Sequence, residues 1–146
     1  MATGLYAELE SVRRALNIRR GDDAADDDLI STAVTAASRA VDGLCNRPTG
    51  FGPDQAASPR VYRPEGPVLF VDDIASLDGL AVQTRPAGGT WAAYPDFDPV
   101  ACMEPLNALD NHQPYTMING NWAGAGLVQV TARWGWPDVP AEIAQA

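Results

Sequence analysis

His112 is the only imidazole in this chain of 146 residues, and Cys45 and Cys102 are its only thiols. A serine or cysteine nucleophile would therefore have a single candidate base. No Gly-x-Ser-x-Gly turn is present to expose a serine. Cys45 falls on the apolar side of an expected helix, where a thiol packs rather than reacts. His112 stands between Asn111 and Gln113 and reads as solvent-exposed. Scattered over positions 45, 102 and 112, these three side chains do not have the spacing of a zinc site. Two cysteines are too few for a disulfide framework, so both read as reduced core residues.

Carboxylates offer the next chemistry. Asp22, Asp23, Asp26, Asp27 and Asp28 form an acidic run. A calcium loop would need alternating ligands and a glutamate at its twelfth position. Counting from Asp22 or Asp26 puts Ala33 or Ala37 there. The run fits a helix start instead, where carboxylates cap free N–H groups and complement the dipole. Paired acids of a glycoside hydrolase are a spatial arrangement that the sequence leaves open. Gly120, Gly124 and Gly126 lack a dinucleotide fingerprint, because Gln129 occupies the third glycine position and a strand follows.

Composition excludes more. All 10 basic residues are arginines, against 19 acids and a net charge of −9. A lysine-dependent phosphate loop, a Schiff-base enzyme and a kinase are ruled out by the missing lysine. So acidic a chain is a poor grip for nucleic acid phosphates. Arg13, Arg14, Arg19 and Arg20 are the one basic cluster, flanked by Glu8, Glu10, Asp22 and Asp23. It suits salt bridging within the fold or to a neighbouring subunit. Trp91, Trp122, Trp134 and Trp136 would suit a core or an interface, or, as a second reading, a small carbohydrate-binding module.

The elements that must position these groups divide at residue 48. All 12 prolines lie from Pro48 onward, and ten of the 11 aromatics follow it. A proline-free helical front over about 1–47 and a strand-rich section over about 60–136 make an α+β chain, expected as a single domain. Leu5, Leu9, Val12 and Leu16 mark the first helix, with Thr3 as N-cap and Gly21 as the break. A second helix is predicted from Asp27 or Asp28 to about Asn46. Its apolar face is Ile30, Val34, Ala37, Val41 and Leu44, widened by Ala33, Ala36 and Ala40, with Arg39 and Asp42 paired on the outer side.

Strands are predicted at 60–63, 67–71, 79–85 and 114–118, with a short one near Trp91 to Tyr94. The clearest strand is 127–134, where Val128, Val130, Ala132 and Trp134 share a face. Asn119-Gly120 is a turn signal. Residues 86–113 read as mostly irregular. Pro140 opens a short final helix carrying Glu142. The N-terminus lacks the pattern of a secretory signal, and no apolar run approaches a membrane span.

Five segments together resemble the head–tail connector, or adaptor, proteins of long-tailed bacteriophages. They are Ala37 to Arg47; Arg60-Val61-Tyr62-Arg63-Pro64; Leu69 to Leu80 with Asp72-Asp73-Ile74; Glu104-Pro105-Leu106-Asn107-Ala108; and Val130 to Pro140 with Trp134-Gly135-Trp136-Pro137. The resemblance implies a helical core, built of two N-terminal helices and a short C-terminal one, with a β-rich insertion. It implies a virion protein of the head–tail interface, assembled in the host cytoplasm. Such proteins form a homo-oligomeric ring, commonly of twelve subunits, docked below the portal protein. The ring extends the channel for double-stranded DNA, which passes without sequence-specific binding, and offers a platform to the next stopper or tail protein.

Neither enzymatic activity, a cofactor, a metal nor a membrane partner is implied by that resemblance. Arg13, Arg14, Arg19, Arg20, Trp134 and Trp136 are the candidate subunit or portal contacts. Relatives continue past the Trp-Gly-Trp-Pro segment into a longer helix, whereas this sequence ends at Ala146.

Overall fold

A computed structural model describes residues 5–17, 24–47, 50–95 and 97–144. The elements run α1 (Leu9–Ala15), α2 (Ala24–Leu44), β1 (Ser58–Tyr62), β2 (Val68–Arg85), β3 (Ala92–Ala93), α3 (Pro99–Cys102), β4 (Met103–Glu104), β5 (Tyr115–Asn119), β6 (Leu127–Trp134) and α4 (Ala141–Ala144). The chain divides into two compact units. One holds residues 1–51 and 139–146, the other residues 52–138.

The second unit is an antiparallel sheet of six strands in the order β1-β6-β2-β5-β4, with β3 pairing on β2. Here lies the main core: Leu69, Ile74, Val82, Met103, Ile118, Trp122, Val128, Val130, Ala132 and Trp134. The expected helical core with a β-rich insertion is therefore corrected. The apolar mass sits on the sheet, because the strands carry the β-branched and aromatic residues while the helices are alanine-rich and polar. The mixed α+β character stands.

Strand β6 forms as its alternation requires. Val128, Val130 and Ala132 are fully buried and Trp134 is 2% exposed, while the residues between them are half-buried. It lies between β1 and β2, pairing Val130 with Arg60 on one side and with Val82 on the other. A strand flanked on both sides has its backbone groups satisfied by the ladder.

Strand β2 unites two predicted strands. Its first part pairs with β5, and from Ile74 onward it pairs with β6, with register shifts between Phe70 and Ile74, Ile74 and Ser76, and Ser76 and Ala81. Ile74 and Ala75 are both buried although neighbours in a strand face opposite ways. An irregularity resolves that conflict by re-aiming one side chain. Gly79, at φ +73°, lets the chain turn at the last shift. The acidic pair Asp72-Asp73 and the Asp78-Gly79 step are bends within one strand, not its ends. Asn119-Gly120 likewise does not join a hairpin, since β5 and β6 are separated in the sheet by β2.

In the helical unit, α1 starts at Leu9, with Glu8 in the N-cap position making no side-chain cap. Thr3, Gly21, Asp22 and Asp23 lie outside the described residues. Helix α2 buries Ile30, Ser38 and Asp42, while Ala33, Ala36, Ala37 and Ala40 are exposed and Leu44 is 88% exposed. The expected face is thus rotated toward polar groups that find partners. Ser38 Oγ accepts from Tyr6 N (3.2 Å) and donates to the Val34 carbonyl (2.8 Å). Asp42 accepts from the Tyr6 hydroxyl and lies 2.8 Å from Arg39 Nη1, so the carboxylate of the expected Arg39–Asp42 pair is buried rather than outward. The Tyr6 hydroxyl also accepts from Phe51 N (2.8 Å). Burial and the Asp42 hydrogen bond raise the Tyr6 pKa above its ordinary 10.0. Cys45, expected in the core, is exposed, and Cys102 is half-buried; both are free thiols.

Candidate functional site

Two segments singled out by the resemblance meet in the sheet unit. Gly135 N donates to the Asp73 carbonyl at 2.8 Å, and Trp136 Nε1 donates to Asp73 Oδ2 at 3.1 Å. Asp54 N donates to the Trp134 carbonyl (2.7 Å), and Arg133 Nε donates to the Asp54 carbonyl (3.0 Å). Gly135 bridges to Pro53 at a φ of +113°. The β6 end, the β2 centre and the segment before β1 are thereby tied together. Each bond joins residues distant in sequence, so the node fixes loop geometry more than it adds core area.

Beside it, Arg60 lies over the Trp134 ring at 4.4 Å and makes a 2.8 Å ion pair with Asp72 Oδ2. The Tyr62 hydroxyl donates to the same carboxylate oxygen at 2.8 Å. Burial pushes the Asp72 carboxyl up, but hydrogen bonds from Arg60 and Tyr62 outweigh it and hold the pKa below the ordinary 3.8. Burial and the nearby carboxylate raise the Tyr62 pKa above 10.0.

The signs of those two shifts set opposite pH limits. A carboxylate with a lowered folded pKa stabilises the fold above its unfolded value, and that contribution is lost as pH falls through the folded one. A tyrosine with a raised pKa contributes below pH 10 and loses that contribution as pH rises through its folded value. In urea unfolding, Asp72→Asn should cost about 0.5 kcal/mol at pH 7, the scale of an exposed pair. The gap to wild type should close below pH 3.8. A gap that persists unchanged at pH 2 would contradict the ion-pair assignment.

The candidate contact residues separate sharply. Arg13 is 5% exposed and donates through Nε and Nη2 to Asp27, holding α1 against α2. Trp134 is buried between Arg60 and Tyr62, with Nε1 donating to the Ser58 carbonyl at 2.8 Å. Neither side chain is offered to another molecule, because each is already enclosed by its own unit. Trp136 is half-buried against Asp73. Arg14 is exposed near the end of α1. Arg19 and Arg20 lie outside the described residues.

The carbohydrate reading loses its platform. Trp122 is 6% exposed and stacks on Tyr94 with centroids 4.8 Å apart, and Trp91 sits under Arg85 at 5.1 Å. His112 is exposed and pairs with Asp138 at 2.8 Å. Among the described residues, no group of three or more His, Cys, Asp or Glu side chains is placed to hold a metal ion.

Surface apolar residues carry more information. Leu5, Leu16, Leu29 and Leu44 on the helical unit, and Val61, Phe70, Val100 and Leu106 on the sheet unit, are each at least half exposed. Val100 and Leu106 border a recess of ≈ 290 Å³, walled also by Leu77, Leu109 and Tyr115, with Asp110 at its edge. Asp98 caps α3 by accepting from Val100 N (2.9 Å), which orients Val100. Glu104 Oε2 accepts from Leu106 N (3.0 Å) and sets the start of the following turn. Sequence reading missed this recess, since its walls come from the long strand β2 and from several short segments between residues 99 and 115. Its one signal was the Glu104-to-Ala108 segment of the resemblance.

In comparison with known proteins, the chain matches no family model, no curated protein and no solved structure. No helix among the described residues is long and apolar enough to cross a membrane.

Proposed function

We propose that this chain is a structural subunit of a phage head–tail connector, a ring-forming adaptor that docks below the portal and continues the DNA channel. In that reading it works without catalysis, in the virion, and presents a platform to the next connector or tail protein. The observation that carries it is the node at Asp73. The two segments that bear the family likeness most specifically, Asp72-Asp73-Ile74 and Trp134-Gly135-Trp136, are hydrogen-bonded to one another although about sixty residues apart. The residues quoted for the likeness thus form one hydrogen-bonded unit, and that is what supports the reading.

Two further features support it. Large apolar side chains stand exposed on both units, as suits a building block completed by neighbours. A subunit of net charge −9, repeated around a channel, would repel the DNA backbone and favour passage over retention.

Electron microscopy of virions from the phage encoding this chain, with the chain labelled by antibody, tests the reading. Label is expected at the neck, between head and tail, as a closed ring. Virions that lack the chain at that position would refute it.

A further inference from the structure

Helix α2 turns about 100° per residue, which divides its side chains between faces. Ser38 and Asp42 lie on the buried face, where Tyr6 and Arg39 hold them. Leu29, Ala33, Ala36, Ala37, Ala40 and Leu44 fall within an arc of about 100° on the opposite side. All six are exposed, and the two leucines are 69% and 88% exposed. Large apolar side chains standing in water at both ends of one stripe mark an unfilled contact rather than a solvated helix face.

Charge is missing from this face as well. From Leu29 to Leu44 the only charged residues are Arg39 and Asp42, and they pair with each other at 2.8 Å. In a chain of net charge −9, a long stripe without a free carboxylate is where a second copy meets least repulsion. Ala33 and Ala37 also wall a recess of ≈ 280 Å³ with Val12, Val34 and Ile143, so the apolar surface continues beside the stripe.

The order of residues in the stripe says which partner fits. It reads the same from either end: leucine, then alanine four residues in, then alanine three further. Antiparallel pairing of two copies sets Leu29 against Leu44, Ala33 against Ala40 and Ala36 against Ala37. Small residues at the centre let the axes approach to about 8 Å, and the leucines close the two ends. Charge selects the direction. Parallel pairing would stack Asp26, Asp27 and Asp28 of both copies. Antiparallel pairing holds them about 28 Å apart along the axis, well beyond a screening length of about 8 Å.

We propose that two copies of this chain pair through this face of α2, antiparallel about a two-fold axis between Ala36 and Ala37. The contact is isologous and closes on itself at two copies, so it is a pairing of the free chain and does not depend on the ring reading. The stripe is about 23 Å long and about 10 Å wide, roughly 230 Å² per copy. That is well below the ~800 Å² per partner of a standard complex, so the pair dissociates with a constant on the order of 100 µM.

The test is sedimentation velocity of the full chain over a concentration range spanning that constant. Ala36→Glu and Leu29→Glu should each weaken pairing at least about tenfold, since a symmetric contact counts each substitution twice. Thr35→Glu adds the same charge at an exposed position on another face and should leave pairing unchanged. All three sites are exposed, and circular dichroism checks that the variants remain folded. With Cys45 and Cys102 replaced by alanine, Leu29→Cys and Leu44→Cys chains should form a disulfide with each other on mixing, and neither with itself.

A chain that stays monomeric throughout the range would overturn the proposal. So would association that is indifferent to Ala36→Glu and Leu29→Glu, or equally weakened by Thr35→Glu, or a Leu29→Cys chain that crosslinks to itself. None of these results bears on where the chain sits in the virion, so the ring reading keeps its own test.

Discussion

Replacing Gly135 by alanine should destabilise the sheet unit by at least about 3 kcal/mol, and valine should prevent its folding. A Cβ placed on Gly135 would stand 2.0 Å from the Gly52 carbonyl oxygen and 3.3 Å from Pro53 Cα. Those neighbours are backbone, so no flexible side chain can swing away to make room. The φ of +113° adds a second cost, because a side chain disfavours that region even in open space. Gly88 separates the two effects. It has a φ of +72°, and a methyl group added there would meet nothing within 4 Å, so Gly88→Ala should cost only about 1–2 kcal/mol. Urea unfolding followed by tryptophan fluorescence compares the two variants. Equal effects at Gly88 and Gly135 would mean that the close approach of Gly52 does not constrain the fold.

The same glycine shows which parts of the fold could be read in advance. Strand β6 was legible because every second residue from Val128 to Trp134 is apolar and no glycine or proline interrupts it. The end of that strand was legible at Gly135-Trp136-Pro137. The partner of Gly135 was not, because a close approach of two backbones leaves no periodic trace in either segment. Strand β2 was divided for a related reason. Asp72-Asp73 and Asp78-Gly79 look like strand ends locally, but pairing with β5 and then β6 carries the chain through them.

Helix α2 was found close to its true bounds, yet its buried face was misjudged. An apolar periodicity count ranks Leu44 above Ser38 and Asp42. Tyr6 reverses that ranking by bonding the hydroxyl and one carboxylate oxygen inside the unit, while Arg39 pairs with the other, and a partnered polar group tolerates burial. The resemblance suggested a helical core, and the correction has the same origin. Alanine-rich helices supply little area per residue, whereas Ile74, Ile118, Val128, Val130 and Trp134 concentrate it on the sheet.

Of the candidate contact residues that the structure describes, Arg14 alone is exposed. The recess bordered by Val100 and Leu106 was invisible beforehand. Leu77 lies in β2 while Val100, Leu106, Leu109 and Tyr115 come from separate short segments, and only the folded sheet brings them to one recess.

Trp134→Ala should cost about 3–5 kcal/mol, as befits removal of a large aromatic side chain from a core. The indole is 2% exposed, lies under the Arg60 guanidinium at 4.4 Å, and sits 6.3 Å from the Tyr62 ring. Its removal opens a cavity and strips Arg60 of its aromatic face, leaving the Ser58 carbonyl without the Nε1 donor. Trp134→Phe keeps most of the ring stacking and loses the hydrogen bond, so it should cost only about 1–2 kcal/mol. Trp136→Phe loses only the 3.1 Å bond to Asp73 from a half-buried position, and should cost about 1 kcal/mol. Thermal unfolding by far-ultraviolet circular dichroism reads all three without relying on the altered fluorophore. The expected order is Trp134→Ala far below Trp134→Phe, with Trp136→Phe nearest to wild type. A Trp134→Ala variant that keeps wild-type stability while losing only self-association would place Trp134 at a subunit contact and move the core of the sheet elsewhere.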